Sequence, residues 1–210
     1  MRIFIKRYGY EVSNTTMHKY MNKELNLCAI IMHSKPGYKA GKKNKIFDNL
    51  LNQKFTVDCK NKVWCTDFTY MRQPNGKFRY NCSIIDLYDR SAVASLNSDC
   101  INTDLAINTL KTALKKEKHP KVILHSDQGV QFTSCEFVNF CKDNNITQSM
   151  SKAGCPYDNA PMERFYNNFK SNFYNVTSFS NVEVMDELTT KYINWYNYVR
   201  PHSHNNYLTP

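Results

Sequence analysis

No two of the eight cysteines stand two residues apart, so the sequence offers no Cys-x-x-Cys knuckle or redox pair. Cys28, Cys59, Cys65, Cys82, Cys100, Cys135, Cys141 and Cys155 are scattered along the chain. They read as free thiols of a reducing cytoplasm, mostly filling small apolar core positions. His202 and His204 have no cysteine at ligand spacing, which argues against zinc. No apolar run is long enough to cross a bilayer and no signal-peptide pattern opens the chain, so no membrane partner is expected. Ser126 has no His–acid pair spaced to activate it beyond its neighbour His125, which argues against a serine nucleophile.

Acidic residues are scarce at one end only. Residues 1–62 carry 13 Lys+Arg against 4 Asp+Glu, whereas residues 63–210 carry 15 against 14. Nearly all of the net charge of +10 therefore precedes the balanced part, as expected of an arm that meets nucleic acid phosphates. The bland reading is a solubilising tail. The balanced part, about 150 residues, is long enough to bury a core without staples.

Within that part, three carboxylates stand in rigid settings. Asp127 follows the apolar run Val122, Ile123, Leu124, which reads as a short buried strand delivering an acid at its C-terminal end. Asp67 lies in Val-Trp-Cys-Thr-Asp-Phe-Thr-Tyr (63–70), a second strand-like run. Glu163 lies in a segment where Met162, Phe165, Tyr166, Phe169 and Phe173 recur at helical spacing as one apolar stripe. Asn159, Glu163 and Lys170 share a face about 80–100° from that stripe. Any one of these acids alone reads as a solvated element end. Three on rigid elements suit hard cations such as magnesium, and crowding them without a cation would be costly.

The words around the acids are more specific than the acids. Trp64-x-Thr66-Asp67-x-Thr69-Tyr70, His125-Ser126-Asp127-x-Gly129-x-Gln131-Phe132, Tyr157-Asp158-Asn159-Ala160 and Tyr196-Asn197-x-x-Arg200-Pro201-His202 resemble insertion-sequence transposases of the IS-three family. With 35 residues between Asp127 and Glu163, the acids resemble the Asp-Asp-Glu triad of that family and of retroviral integrases. Lys170 fills the family's basic position seven residues after the Glu. The resemblance covers 62–210 strongly and 8–45 weakly. It implies an α/β, ribonuclease-H-like fold: a mixed five-stranded sheet flanked by helices, with a short basic helical N-terminal segment.

The expected order is as follows. Residues 1–32 form a partial helix-turn-helix-like segment, with a helix from Val12 to Leu27 capped by Asn14, Thr15 or Thr16. The Tyr8-Gly9-Tyr10 word runs almost directly into that helix, so the family's intervening helix reads as shortened or missing. Residues 33–62, with five lysines between Lys35 and Lys45, read as a basic linker with little core of its own. Residues 63–210 form an integrase-like catalytic core. Strands at 63–70, 77–86 and 91–96 make an antiparallel meander around turns at Pro74-Asn75-Gly76 and Asp89-Arg90. A helix spans 103–118, a fourth strand ends at Asp127, Ser134 caps a helix that closes at Asn144-Asn145, and 146–150 is a fifth strand. Ser180-Asn181-Val182-Glu183 has a capping-box pattern and opens a C-terminal helix rich in Tyr and Trp. Its aromatics are expected as helix-packing residues rather than base-stacking ones.

The resemblance implies metal-dependent phosphoryl transfer on DNA at insertion-sequence ends, with two Mg2+ (or Mn2+) ions. Asp67 is expected to bridge both ions, Asp127 to hold one and Glu163 the other, with Lys170 on a DNA phosphate. Asn159, Arg200, Lys42 and Lys43 are further candidate DNA contacts, with orienting Glu163 as the other role for Asn159, and Gln128, Gly129 and Gln131 shape the loop beside Asp127. The partners implied are transposon-end and target DNA, further copies of the chain on DNA, and an upstream-frame protein supplying DNA recognition. The place is the bacterial cytoplasm, on the nucleoid. Two other classes fit the same residues: a non-catalytic DNA-binding fragment that regulates transposition, and a nuclease of the ribonuclease H type. The 60-residue step from Asp67 to Asp127 and the Tyr-Asp-Asn-Ala word favour the transposase.

Overall fold

The computed structural model describes residues 1–27, 45–118 and 120–210. Lys42 and Lys43 lie outside the described residues. Five strands form one sheet: β1 (Val63–Arg72), β2 (Phe78–Asp86), β3 (Ala92–Ser98), β4 (Ile123–Ser126) and β5 (Thr147–Met150), in the order β3-β2-β1-β4-β5. The first three pair antiparallel, and β4 and β5 add in parallel, so the sheet is mixed. Short turns explain the meander. Gly76 takes φ +81 in the β1–β2 turn, where a side chain would be strained.

Helices cover both faces. The helix α3 (Thr103–Lys116), the short turn α4 (Val130–Thr133) and α5 (Cys135–Asp143) pack on one face. Their contact surface joins Leu110, Leu114, Phe132 and Phe137 to Trp64 and Ile84 of the sheet. On the other face lie α6 (Ala160–Asn172) and α7 (Val182–Tyr198), numbered after two N-terminal helices described below. Their Phe165, Phe169, Met185, Tyr192 and Tyr196 meet Cys65, Met71 and Ile85. Alternation along β1 sorts its side chains between these layers. Trp64 and Phe68 face α3 and α5, Cys65 and Met71 face α6, and parity puts Asp67 on the α6 face.

The expected caps hold in part. Ser134 caps α5 through its side chain as expected, and Asn102, which carried no expectation, caps α3 in the same way. At α7 the cap is Asn181, accepting from Val184 N, and not Ser180, so the capping box does not form. The start is shifted by one residue because Asn is as good a cap as Ser. The aromatics of α7 pack as expected, with Tyr192 and Tyr196 buried, while Tyr198 is 69% exposed.

The segments before the core depart from expectation in two places. The N-terminal helix is capped by Ser13, whose Oγ accepts from Thr16 N, and it changes character within a turn. A first helix α1 (Arg2–Arg7) precedes it, then α2 (Asn14–Lys19) runs straight into a π-turn over Tyr20–Glu24. None of these elements has a buried residue. Within the expected linker, 45–62 does contribute to the core. Leu51 is buried, and Phe55, Val57 and Phe47 pack against the two core clusters. Asn49 Nδ2 and Gln53 Nε2 donate to Asp158 at 2.9 and 2.8 Å, and Leu50 N donates to Ser149 Oγ. The polar character of this stretch is spent on long-range hydrogen bonds, which a composition-based reading takes for solvation.

Candidate active site

Asp67 sits in the middle of β1, opposite Ser83 of β2, and is half-buried. Asp127 is the first residue beyond β4, and β4 runs parallel beside the start of β1. The helix α6 crosses the same face with Glu163 exposed in its first turn. The helix is placed by its apolar stripe, since Met162, Phe165, Tyr166, Phe169 and Phe173 are all buried. Burying an aromatic residue such as Phe169 stabilises the docking by roughly 3–5 kcal/mol relative to Ala. Tyr166 adds a polar tie: its hydroxyl donates to the backbone oxygen of Asp67 at 2.8 Å, inside the network of Asn81, Ser83 and Ser95.

The electrostatics show which of the predicted residues come together. Burial pushes the Asp67 carboxyl up to about 8, and the charges of Asp127 and Glu163 push in the same direction. The Phe68 amide, donating to Asp67 Oδ1 at 2.7 Å, and the Lys170 ammonium oppose the rise. Asp67, Asp127, Glu163 and Lys170 thus share one field. Glu163 is itself raised by partial desolvation. Lys170 is lowered by burial against the pull of Asp67, and its Nζ lies 4.7 Å from the centre of the Tyr70 ring.

The loop after Asp127 is shaped around the acid. Asp127 Oδ1 accepts from Gly129 N at 2.8 Å. A Cβ on residue 129 would stand 2.9 Å from that oxygen, so a side chain there would push the Asp127 carboxylate out of this position. Gln128 donates to Ser151 O and Gln131 to Ile101 O, fixing the loop at both ends. Ser126 Oγ donates to Asp127 O and is buried, as expected of a scaffold residue.

The donor chemistry fits a hard divalent cation, because Asp67 feels the charges of two further carboxylates, Asp127 and Glu163, with the Lys170 ammonium opposing them. Among the described residues, however, no three acidic, His or Cys side chains are gathered tightly enough to grip an ion. Asp67 and Asp127 each turn one oxygen onto a local amide instead. Drawing like charges onto one centre requires a counter-charge there.

Asn159 differs from expectation. It is 5% exposed, with Nδ2 3.4 Å from Thr66 O and Oδ1 unpartnered, so it belongs to the scaffold beneath β1 and not to a DNA-contacting surface. Its place at a 3-10 turn (Pro156–Asn159) ahead of α6 turns it inward, which extrapolating the helix backwards could not show. Arg200 is half-buried with its guanidinium over the Tyr196 ring, 5.4 Å from the centre. Sequence reasoning passed over Tyr166 as a site residue, because its hydroxyl lies within the apolar stripe.

A mixed sheet in this order, helices on both faces and acids at the centre of β1 and the end of β4 define a ribonuclease-H-like core. Residues 57–156 match the integrase core domain family, and residues 144–210 match a second integrase core domain model. The chain is 30% identical over 194 residues to the putative transposase InsK for insertion sequence element IS150 of Escherichia coli (strain K12), covering 92% of this chain and 68% of that protein. It is 35% identical over 160 residues to the transposase InsF for insertion sequence IS3A of the same strain, covering 75% of this chain and 55% of that protein. Among solved structures, a chain of the simian T-cell lymphotropic virus intasome in complex with PP2A regulatory subunit B56 gamma superposes with TM-score 0.57 at 16% identity, covering 97% of this chain and 66% of that one. The HTLV-2 integrase catalytic core domain in complex with magnesium superposes with TM-score 0.51 at 17% identity, covering 68% and 88%. These two likenesses concern the fold. The chain belongs to the insertion-sequence transposases of the IS-three family, with an integrase-like core.

Proposed function

We propose that this chain is the catalytic core of a DNA transposase, cleaving and joining strands at insertion-sequence ends. The observation that carries the reading is the setting of Asp67: burial first, then the charges of Asp127 and Glu163, raise its carboxyl to about 8, against the Phe68 amide and Lys170. Asp67 would hold two ions, Asp127 one of them and Glu163 the other. Two Mg2+ or Mn2+ ions, when bound, supply activation of the attacking oxygen and stabilisation of the leaving one.

The chain's own residues do the rest. The water or DNA 3′-hydroxyl forms the new P–O bond in line as the bond to the departing 3′-oxygen breaks, with no covalent link to the protein. Catalysis is then mainly positioning and charge neutralisation. Tyr166 holds the backbone at Asp67, the Gly129 amide orients Asp127, and the apolar stripe of α6 fixes Glu163. Lys170 presents its ammonium to a DNA phosphate beside the scissile bond. The substrates are transposon-end and target DNA, the working form is an oligomer on DNA, and an upstream-frame protein supplies end recognition. The setting is the cytoplasm, on the nucleoid. The membership of InsK and InsF among transposases supports this reading over a regulatory fragment or a ribonuclease.

The test is cleavage and strand transfer on oligonucleotides bearing genuine element ends, in Mg2+ or Mn2+, with the upstream-frame protein supplied in trans. The parent chain should cut and Glu163→Gln should not. Equal cutting by both, or none by the parent with that protein present, would overturn the proposal.

A further inference from the structure

One residue past Glu163 the helix turns through about 100°, and Arg164 faces a separate cavity. That cavity measures about 240 Å³ and lies between the first turn of α6, the β2–β3 turn and the C-terminal loop. Phe55, Arg90, Pro161, Arg164, Tyr196 and His202 are among its lining residues. Its walls are mostly carbon, yet its charges are of one sign.

Arg90 is the key group. Its Nη2 donates to Phe55 O at 2.8 Å, while Nη1 is buried with no acceptor. A buried guanidinium N–H without a partner is costly unless something occupies the site. Asp86 and Asp89 are the acids nearest Arg90, but their oxygens accept backbone N–H groups of Asn61, Tyr88 and Ser91. Neither they nor any other acid among the described residues forms an ion pair with Arg90, Arg164 or Arg200. His202 confirms the sign of the field. Burial, then Arg200, His204, Arg90 and Arg164, hold its imidazole down to about 4. Its Nδ1 accepts from His204 N, so the ring is neutral at pH 7 and adds no charge of its own.

A pocket with carbon walls, lined by two arginines that form no ion pair among the described residues, suits an anion attached to an apolar body. We propose that it takes one nucleotide of DNA drawn out of the base stack, the phosphate on Arg90 and Arg164 and the base against the apolar wall. Charge-assisted contacts of a guanidinium to phosphate are strong and directional, and an apolar face accepts any base. This assignment rests on the reading of the chain as a DNA-acting enzyme. It places a second DNA contact beside Glu163 on the same helix, where it can hold the strand in register with the acids.

The experiment is calorimetric titration of the full chain in EDTA, where the acidic site contributes no metal-dependent binding. The probes are deoxyadenosine 5′-monophosphate, deoxyadenosine, inorganic phosphate and phenylacetate. The monophosphate should bind more tightly than the nucleoside or phosphate. Arg164→Ala, a change at an exposed position, should weaken it roughly tenfold and Arg164→Glu further, the loss of one charge-assisted contact. Binding that ignores both substitutions would overturn the site. Phosphate binding as tightly as the monophosphate would overturn the base contact, and phenylacetate displacing the monophosphate would assign the pocket to an acidic peptide. None of these outcomes bears on Mg2+-dependent cleavage, so the two proposals fail separately.

Discussion

Two polar clusters flank the end of β4, and they differ in how their charges are answered. On one side His125 is fully buried, its Nδ1 against Ser149 Oγ at 2.9 Å and its Nε2 against Ser151 Oγ and Asp158 O at 3.1 and 2.9 Å. Asp158 in turn accepts from Gln53, Asn49 and the Lys152 amide, which hold its carboxyl below the usual range. Two residues on from His125, just past the strand, Asp127 lies close enough to Asp67 for its charge to push that carboxyl up, as the charge of Glu163 does. The satisfied cluster is scaffold: every group has its partner before any ligand arrives. The acidic cluster has the Lys170 ammonium and two backbone amides against three carboxylates, and suits a further positive charge.

Breaking the second cluster should affect chemistry alone. Glu163→Gln keeps volume and helix propensity at an exposed position, so stability should stay within about 0.5 kcal/mol of the parent. Cleavage should fall about a thousandfold or more, the scale of several kcal/mol of charge stabilisation. Oligonucleotide cleavage beside a urea melt separates the two effects. Breaking the first cluster should do the reverse. Asp158→Ala strips three donors of their acceptor and should cost about 2–3 kcal/mol in a urea melt. The cutting rate per folded molecule should change little.

Acid titration sharpens the contrast. Asp67 has its folded pKa raised to about 8, above an unfolded carboxylate near 4, so the metal-free fold binds the extra proton. Metal-free stability should therefore fall as pH rises from about 4 to about 8. Mg2+ must displace that proton, so its apparent affinity should rise with pH by up to about tenfold per unit and level off above pH 8. Calorimetry in buffers of different ionisation enthalpy reads the released proton. For Asp158, lowered by its donors, the stability it contributes is present above the unfolded pKa and is lost as pH falls below about 4.

Smaller effects test the ties between the regions. Tyr166→Phe should cost about 1 kcal/mol and lower kcat more than it raises KM, because the lost bond holds the Asp67 backbone. Deleting residues 1–44, which carry 9 Lys+Arg against 2 Asp+Glu, should flatten the salt dependence of DNA binding without unfolding the core. A cut at residue 62 would also remove Leu51 and the Asn49 and Gln53 bonds to Asp158, so it would confound binding with stability.

Much of this was legible in the sequence where local pattern decides the structure. The five strands begin and end within a few residues of expectation, because alternation and turn residues set them. The helix carrying Glu163 follows from its aromatic stripe. What escaped depends on partners far away in the chain. Asn49 meets Asp158 across 109 positions, so 45–62 passed for linker. Helical spacing groups Asn159 with Glu163 and Lys170 on one face, but the 3-10 turn before α6 turns it into the core. The cavity at Arg90 draws on the β2–β3 turn, α6 and the C-terminal loop together, and no sequence window contains all three.

The central claim is that Asp67, Asp127 and Glu163 form the divalent-metal site that drives cleavage. Anomalous diffraction from Mn2+-soaked crystals of the full chain tests it most directly. The account predicts manganese peaks within ligand distance of Asp67 and Asp127, with Glu163 completing the site once DNA is bound, and their loss in Asp67→Asn. Manganese bound only elsewhere, or peaks that persist unchanged in Asp67→Asn, would contradict it.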